Sequence, residues 1–168
     1  AASDVYKRQA NHNGKGQVVA AGTVEQLEAF AAKPPSRTRL FPLSVAGAFH
    51  TVHMEPAVDH LREVAAAMPT TTPSVALLSN LDGNVVTDGR EFANRLVNQV
   101  AHPVRWDLCM DTMVERSVTG LLELAPAGTL TGIAKRNLKG VELFNLNTPD
   151  QIPAAREFVA AHSSKENA

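Results

Sequence analysis

Three groups of residues in this sequence have types and spacing that could do chemistry. The first is His50 in VAGAFHTVHM, residues 45–54, set directly behind the bulky Phe49. An imidazole changes charge near neutral pH, so a positioned one can serve as a general base. His50 stands where an apolar extended run meets an amphipathic stretch, and such junctions line the ligand-binding edge of α/β sheets. A histidine that merely ends a strand and bonds a backbone group would leave the same trace, so the pattern alone leaves both readings open.

The second group is the H-x-x-H of His50 and His53, with His60 beyond. Paired histidines can bind zinc. Here no H-E-x-x-H pattern follows, His60 falls on the polar side of a helix, and the single cysteine, Cys109, has no second cysteine beside it. No metal site is expected. The third group is NHNGKGQVVAAG, residues 11–22, whose Asn and Gly residues favour a tight turn with backbone donors for a polar ligand. It lacks both G-x-G-x-x-G and G-K-[ST], which excludes a dinucleotide fingerprint and a phosphate loop. A base also needs something to activate. No serine stands in a G-x-S-x-G elbow, and Cys109 lies in an apolar helical stripe, where a small buried hydrophobe is the ordinary reading.

The elements that must position these residues follow from periodicity. Gly16 to Gly22 reads as a short buried strand with no strand before it to pair with. Thr23 and Gln26 form a capping box opening a helix with Val24, Leu27 and Phe30 on one stripe, stopped by Pro34 and Pro35. TRLFPLSVAGAF reads as extended, with Pro42 marking an edge strand. A helix is expected from about Met54 to Met68, presenting Met54, Ala57, Val58, Leu61, Val64, Ala65 and Met68. Ser74 to Asn80 reads as a buried strand, and LDGNVVT as a turn and short extension. Helices near Arg90–Ala101 (Phe92, Leu96, Val97 and Val100 inward) and Trp106–Ser117 (Trp106, Cys109, Met110, Met113 and Val114) follow. GLLELA and VELFNL read as strands flanking a loop and helix. A last helix has Thr148 as N-cap, Pro149 at its first position and Gln151 completing a box. Strands separated by helices predict an α/β class with parallel sheet.

Composition limits the function classes. The chain has 168 residues, 44% hydrophobic and 20% charged, with a net charge of −1. That balance gives no basic field for nucleic acid or a membrane surface. No apolar run approaches the roughly 18–20 residues that span a bilayer. One cysteine fits a reducing compartment, and the absence of an apolar signal core at the N-terminus points to a cytoplasmic setting. Residues 1–9, polar and aperiodic, look like a non-native leader. The start on half a unit suggests the back portion of something larger, and residues 163–168 look like a natural polar tail.

NHNGKGQVVAAG, GAFHTVHMEPA, LVNQVAHPVRW and LLELAPAGTLTGIAKR, in that order and spacing, resemble the C-terminal half of the malonyl-CoA:acyl-carrier-protein transacylases of fatty-acid synthesis. The likeness runs from about Asn11 to His162. It implies an α/β-hydrolase-like large subdomain carrying an inserted ferredoxin-like small one. Residues 10–47 would end the small subdomain, and residues 48–162 would be the C-terminal part of the large one. The family's G-H-S-x-G serine, its carboxylate-binding arginine and its oxyanion-hole glutamine have no counterpart in this sequence, which implies a fragment inactive alone.

The resemblance assigns roles residue by residue. His50 matches the catalytic histidine, and Gln99 the residue whose backbone carbonyl orients it. Asn11, Asn13, Gly16 and Gln17 match the N-x-N-x-x-G-Q stretch near the acyl pocket. Phe49 matches the bulky residue that leaves little room for an α-methyl group. APAG, residues 125–128, replaces the usual Gly-Pro-Gly. The implied substrates are malonyl-CoA and phosphopantetheinyl acyl carrier protein, with no cofactor, nucleic acid or membrane partner. Two alternatives stand beside this: an acyltransferase domain of a polyketide synthase, and a non-catalytic module binding a carrier protein through Lys33, Arg37, Arg39, Lys135, Arg136 and Lys139.

Overall fold

The computed structural model describes residues 9–163. Residues 1–8 and 164–168, most of the expected leader and tail, lie outside the described residues. The chain divides into two compact units between Cys109 and Met110.

In the first unit, β1 (Gln9–His12) and β2 (Val18–Ala20) pair antiparallel, and β1 pairs in parallel with a short strand at Val104–Arg105. The strand read at residues 16–22 therefore does have a predecessor, and Gln9 is its first residue. The intervening turn needs left-handed backbone, which Gly14 and Gly16 supply at φ 76° each. Helix α1 (Val24–Ala32) opens on the expected box: the Gln26 N–H donates to Thr23 Oγ1 (3.3 Å), and the Thr23 N–H to Gln26 Oε1 (3.0 Å). Its apolar stripe is not covered, with none of its residues buried.

Residues 38–49 form no strand, contrary to expectation. Pro42 lacks an N–H, no neighbouring ladder is offered, and Phe41 stands 76% exposed. A 3₁₀ turn (Val52–Met54) leads into α2 (Glu55–Ala67), which packs against α3 (Gly89–Gln99). The α2 stripe is likewise open at Leu61, Val64 and Met68. The run at residues 74–80 shortens to β3 (Leu77–Leu78), hairpin-paired with β4 (Val85–Val86). Here Gly83, at φ 74°, is required twice over, since a Cβ would stand 2.5 Å from the Leu108 backbone. Asp88 caps α3 by accepting from the Glu91 N–H at 2.7 Å. Leu96, expected inward, is 55% exposed, while Val97 and Gln99 are the buried residues of α3. The strand Val104–Arg105 is β5, and α4 (Trp106–Glu115) follows. On α4, Cys109 and Met110 are buried as expected, but Val114 is 60% exposed.

The second unit keeps the predicted alternation. β6 (Gly120–Leu124), α5 (Thr129–Asn137) and β7 (Glu142–Leu146) form a parallel βαβ unit in register, followed by a 3₁₀ turn (Pro149–Gln151) and α6 (Ile152–His162). Ile133, Ala134, Leu138 and Ala155 are buried. Parallel sheet thus exists as two short pairs, β1–β5 and β6–β7, rather than one continuous sheet. The fold class is α/β.

Candidate functional site

Helix α3 ends at Gln99, and the last carbonyls of a helix have no intrahelical partner. His50 supplies two. Its backbone N–H donates to Val100 O at 2.8 Å, and its ring Nδ1 lies 2.8 Å from Gln99 O. A carbonyl can only accept, so Nδ1 carries the hydrogen and Nε2 holds the lone pair. Among the described residues Nε2 has no hydrogen-bond partner. The residue sits at φ 64°, a left-handed conformation that a non-glycine adopts at some cost. Thr51 fixes the next step of the chain: its hydroxyl donates to Ala48 O at 2.6 Å and accepts from the His53 N–H at 3.3 Å.

Gln99 is 9% exposed, and its carboxamide nitrogen makes two hydrogen bonds. Nε2 donates to His102 O (2.8 Å) and to Pro103 O (2.9 Å). Its own carbonyl also accepts from the His102 N–H at 3.3 Å, so both lone pairs are used. The family resemblance implies a role for the Gln99 carbonyl; it marks neither the side chain nor Val100.

The remaining candidates fall around β1. Asn11 is a β1 residue opposite Val104 of β5, immediately after the Pro103 carbonyl that Gln99 holds. Asn13 is nearly buried; its N–H donates to Gln17 O (2.9 Å), and the Gln17 N–H to Gly14 O (2.9 Å), closing the turn that contains Gly16. Phe49 precedes His50 and is 47% exposed, its ring in van der Waals range of a Cβ on Gly47 (3.4 Å). The sequence-expected residues therefore gather as a joined pair, His50 and Gln99, and a turn, Asn11 to Gln17, tied to the same segment through β5.

Other reactive groups are accounted for structurally. Cys109 Sγ points to Ser79 O (3.4 Å) and Asn80 Oδ1 (3.5 Å), and burial, with Asp107 and Asp82 nearby, pushes its thiol up to about 11. It is no thiolate nucleophile near neutral pH. Arg105 grips Asp107 through two hydrogen bonds (2.9 and 2.8 Å), which hold that carboxyl below its ordinary value against the effect of burial. Among the described residues no group of three His, Cys, Asp or Glu is placed to hold a metal ion. No helix of the described residues is long and apolar enough to cross a membrane. Lys33, Arg37 and Arg39 lie in the first unit, and Lys135, Arg136 and Lys139 in the second, all exposed.

No protein-family model matches the chain. Over 140 residues it is 49% identical to the malonyl CoA-acyl carrier protein transacylase of Mycobacterium tuberculosis strain H37Rv, covering 83% of this chain and 46% of that protein. The crystal structure of the transacylase (MCAT) from Mycobacterium tuberculosis superposes with a TM-score of 0.84 at 46% identity, over 87% of this chain and 48% of that one. A malonyl-transacylase solved in complex with its type II PKS acyl-carrier protein matches with a TM-score of 0.81 at 31% identity, over 89% and 49% of the two chains. The chain spans about half the length of the curated relatives it matches.

Proposed function

Along the half of their length that it spans, the chain belongs to the malonyl CoA-acyl carrier protein transacylases, and we propose from that premise that it carries the general base of malonyl transfer from malonyl-CoA to a carrier-protein thiol. The observation that carries this reading is the Nδ1–H of His50 held at 2.8 Å by the Gln99 carbonyl, with Nε2 left as the open lone pair. A base held in one tautomer meets its proton with the same nitrogen every time.

In this reading a serine outside the sequence in hand attacks the malonyl thioester, and its proton passes to His50 Nε2. The C–S bond breaks, and the leaving CoA sulfur takes that proton, leaving malonyl-serine and neutral His50. In the second half His50 removes the proton of the phosphopantetheine thiol, whose sulfur attacks the ester. The serine oxygen leaves and recovers the proton. Each time His50 is charged, the carbonyl end of α3 faces its ring, and the negative end of a helix favours a cation there. Asn11, Asn13, Gly16 and Gln17 would line the acyl pocket, and Phe49 would fill the space an α-methyl group needs. Residues 10–47 would close a ferredoxin-like small subdomain and residues 48–162 would form the C-terminal part of an α/β-hydrolase-like large one. The reaction calls for no cofactor.

The test is a chimera in which the first half of the Mycobacterium tuberculosis relative is joined ahead of residues 10–162. It should transfer malonyl from malonyl-CoA to a holo carrier protein, and a fatty-acid and a polyketide carrier offered separately distinguish the two pathways. A folded chimera that leaves both carriers unacylated would overturn the reading. Carrier binding by the 168-residue chain without transfer by the chimera would favour the binding module instead.

A further inference from the structure

The Gln99 side chain lies one bond network away from the reacting nitrogen. Its Nε2 hydrogens go to two successive carbonyls, His102 O at 2.8 Å and Pro103 O at 2.9 Å. His102 turns back as well: its N–H donates to Gln99 O (3.3 Å), and its ring Nδ1 lies 2.8 Å from Asn98 O. Residues 98–103 therefore form a closed loop at the end of α3, with the Gln99 carboxamide as its internal tie. The outward product of that loop is a pair of carbonyls, Gln99 O and Val100 O, both taken up by His50. Gln99 is 9% exposed, so cutting the tie leaves a largely buried carboxamide short of partners.

Without the tie, the local bonds left in the segment after α3 are Ala101 N–H to Asn98 O (3.1 Å), His102 N–H to Gln99 O and the His102 ring to Asn98 O, none of which reaches Pro103. A peptide plane in such a turn can rotate, and a modest rotation takes the Gln99 carbonyl out of line with the imidazole. Hydrogen bonds weaken steeply with misalignment. The ring would then lose the acceptor that selects its tautomer. His50 would spend part of its time with the hydrogen on Nε2, where it cannot accept a proton from a nucleophile.

We propose that the Gln99 carboxamide is a positioning residue: by clamping the His102 and Pro103 carbonyls it aims its own backbone carbonyl at His50 Nδ1 and so keeps Nε2 as the base. The proposal rests on the reading of His50 as the base, and deepens it.

The test needs no acyl transfer, so its failure is distinct from a failure of that reading. The 168-residue chain, labelled with ¹⁵N at histidine, reports the His50 tautomer directly through its two ring-nitrogen shifts above the pH at which the ring is protonated. In the wild type His50 should show a single Nδ1–H form. Gln99→Met keeps the length and apolar volume but removes both donors. It should move the ratio of Nδ1–H to Nε2–H by roughly tenfold, the scale of one hydrogen bond of ordinary strength. A Gln99→Met chain that folds and keeps the single Nδ1–H form would overturn the proposal, since a merely structural loss would leave the tautomer unmoved. Should that variant fail to fold, the wild-type chain decides: its Gln99 carboxamide protons should exchange with solvent far more slowly than those of a free amide, and exchange at the free-amide rate would overturn the proposal equally.

Discussion

Two histidines, one in each unit, show what separates a poised group from a fastened one. His162, at the end of α6, has both ring nitrogens engaged: Nδ1 lies 2.9 Å from Thr119 Oγ1 and Nε2 3.3 Å from Glu142 Oε2. Its ring packs on Phe158 at 4.5 Å, and a Cβ on Gly120 would meet it at 2.5 Å. The hydroxyl, imidazole and carboxylate look like a relay, yet both ring nitrogens are spent joining α6 to β7 and to the residue before β6. His50 has one nitrogen held and one open, on a backbone kept at φ 64° by its neighbours. An orienting bond on one side with nothing on the other is the arrangement that leaves a lone pair available. Glu123 repeats the lesson for carboxylates. Burial works against its charge, but the N–H groups of Thr131, Leu130 and Gly128 and the Thr131 hydroxyl all donate to it, at 2.8 to 3.0 Å, and hold it down at about 2. It is a cap for α5, not an acid.

The contrast can be broken by substitution. In the chimera, His50→Ala should lower malonyl transfer by about 10²–10⁴-fold, the usual scale for a lost general base. Steady-state rates at saturating carrier protein measure this, and unchanged transfer would put His50 in the same class as His162. Next in size is Glu123→Ala, which strands three backbone donors at the start of α5 and should cost about 1–3 kcal/mol of stability. Because the folded carboxyl lies near 2 against an ordinary 4.5, its contribution is complete above pH 4.5 and is lost as pH falls toward 2. Denaturant melts of wild type and Glu123→Gln should therefore differ above pH 4.5 and converge toward pH 2; a constant gap would mean that charge is not what caps the helix.

Phe49→Ser sharpens the comparison on the substrate side. It should narrow the preference for malonyl over methylmalonyl thioesters in the chimera by about 1–3 kcal/mol, the scale of one methyl-sized contact. An unchanged ratio of kcat/KM values would assign selectivity to another residue. The smallest effect is expected from His162→Ala: a loss of about 1 kcal/mol in thermal stability, with transfer by the chimera left within a few-fold. A large loss of transfer there would erase the distinction between the two histidines.

How much of this was legible in the sequence depended on whether cause and effect lay close in the chain. The box at Thr23 and Gln26 and the return of Gln151 to the Thr148 N–H (3.1 Å) involve partners three residues apart, and both stood as read. So did the βαβ unit of β6, α5 and β7, where apolar runs are long enough to specify strands. β1 was missed because QANH has no apolar alternation; it is a strand only because β2 and β5 flank it. Residues 38–49 had the composition of a strand and, among the described residues, no partner to make one. For the site, His50 stands out by type and place, and Gln99 only through the family resemblance. The second carbonyl at Val100 and the left-handed backbone of His50 were not legible, since each depends on where α3 ends relative to a residue about fifty positions earlier. The clamp on His102 and Pro103 was not either, although its partners are three and four residues apart, because it forms only where α3 stops at Gln99. Glu123 hid for the same reason: α5 begins at a glycine with no capping side chain, and its cap comes from the preceding strand.

The central claim is that His50 is a base whose nucleophile is not supplied by this sequence. Incubating the 168-residue chain and the chimera in parallel with radiolabelled malonyl-CoA, then counting acid-stable label on protein, tests it most directly. The chimera should take up about one malonyl group per molecule, on the serine of its added half, and the chain alone should take up none. Stoichiometric label on a serine of the chain itself would contradict the account, because the partner of His50 would then be one of its own residues.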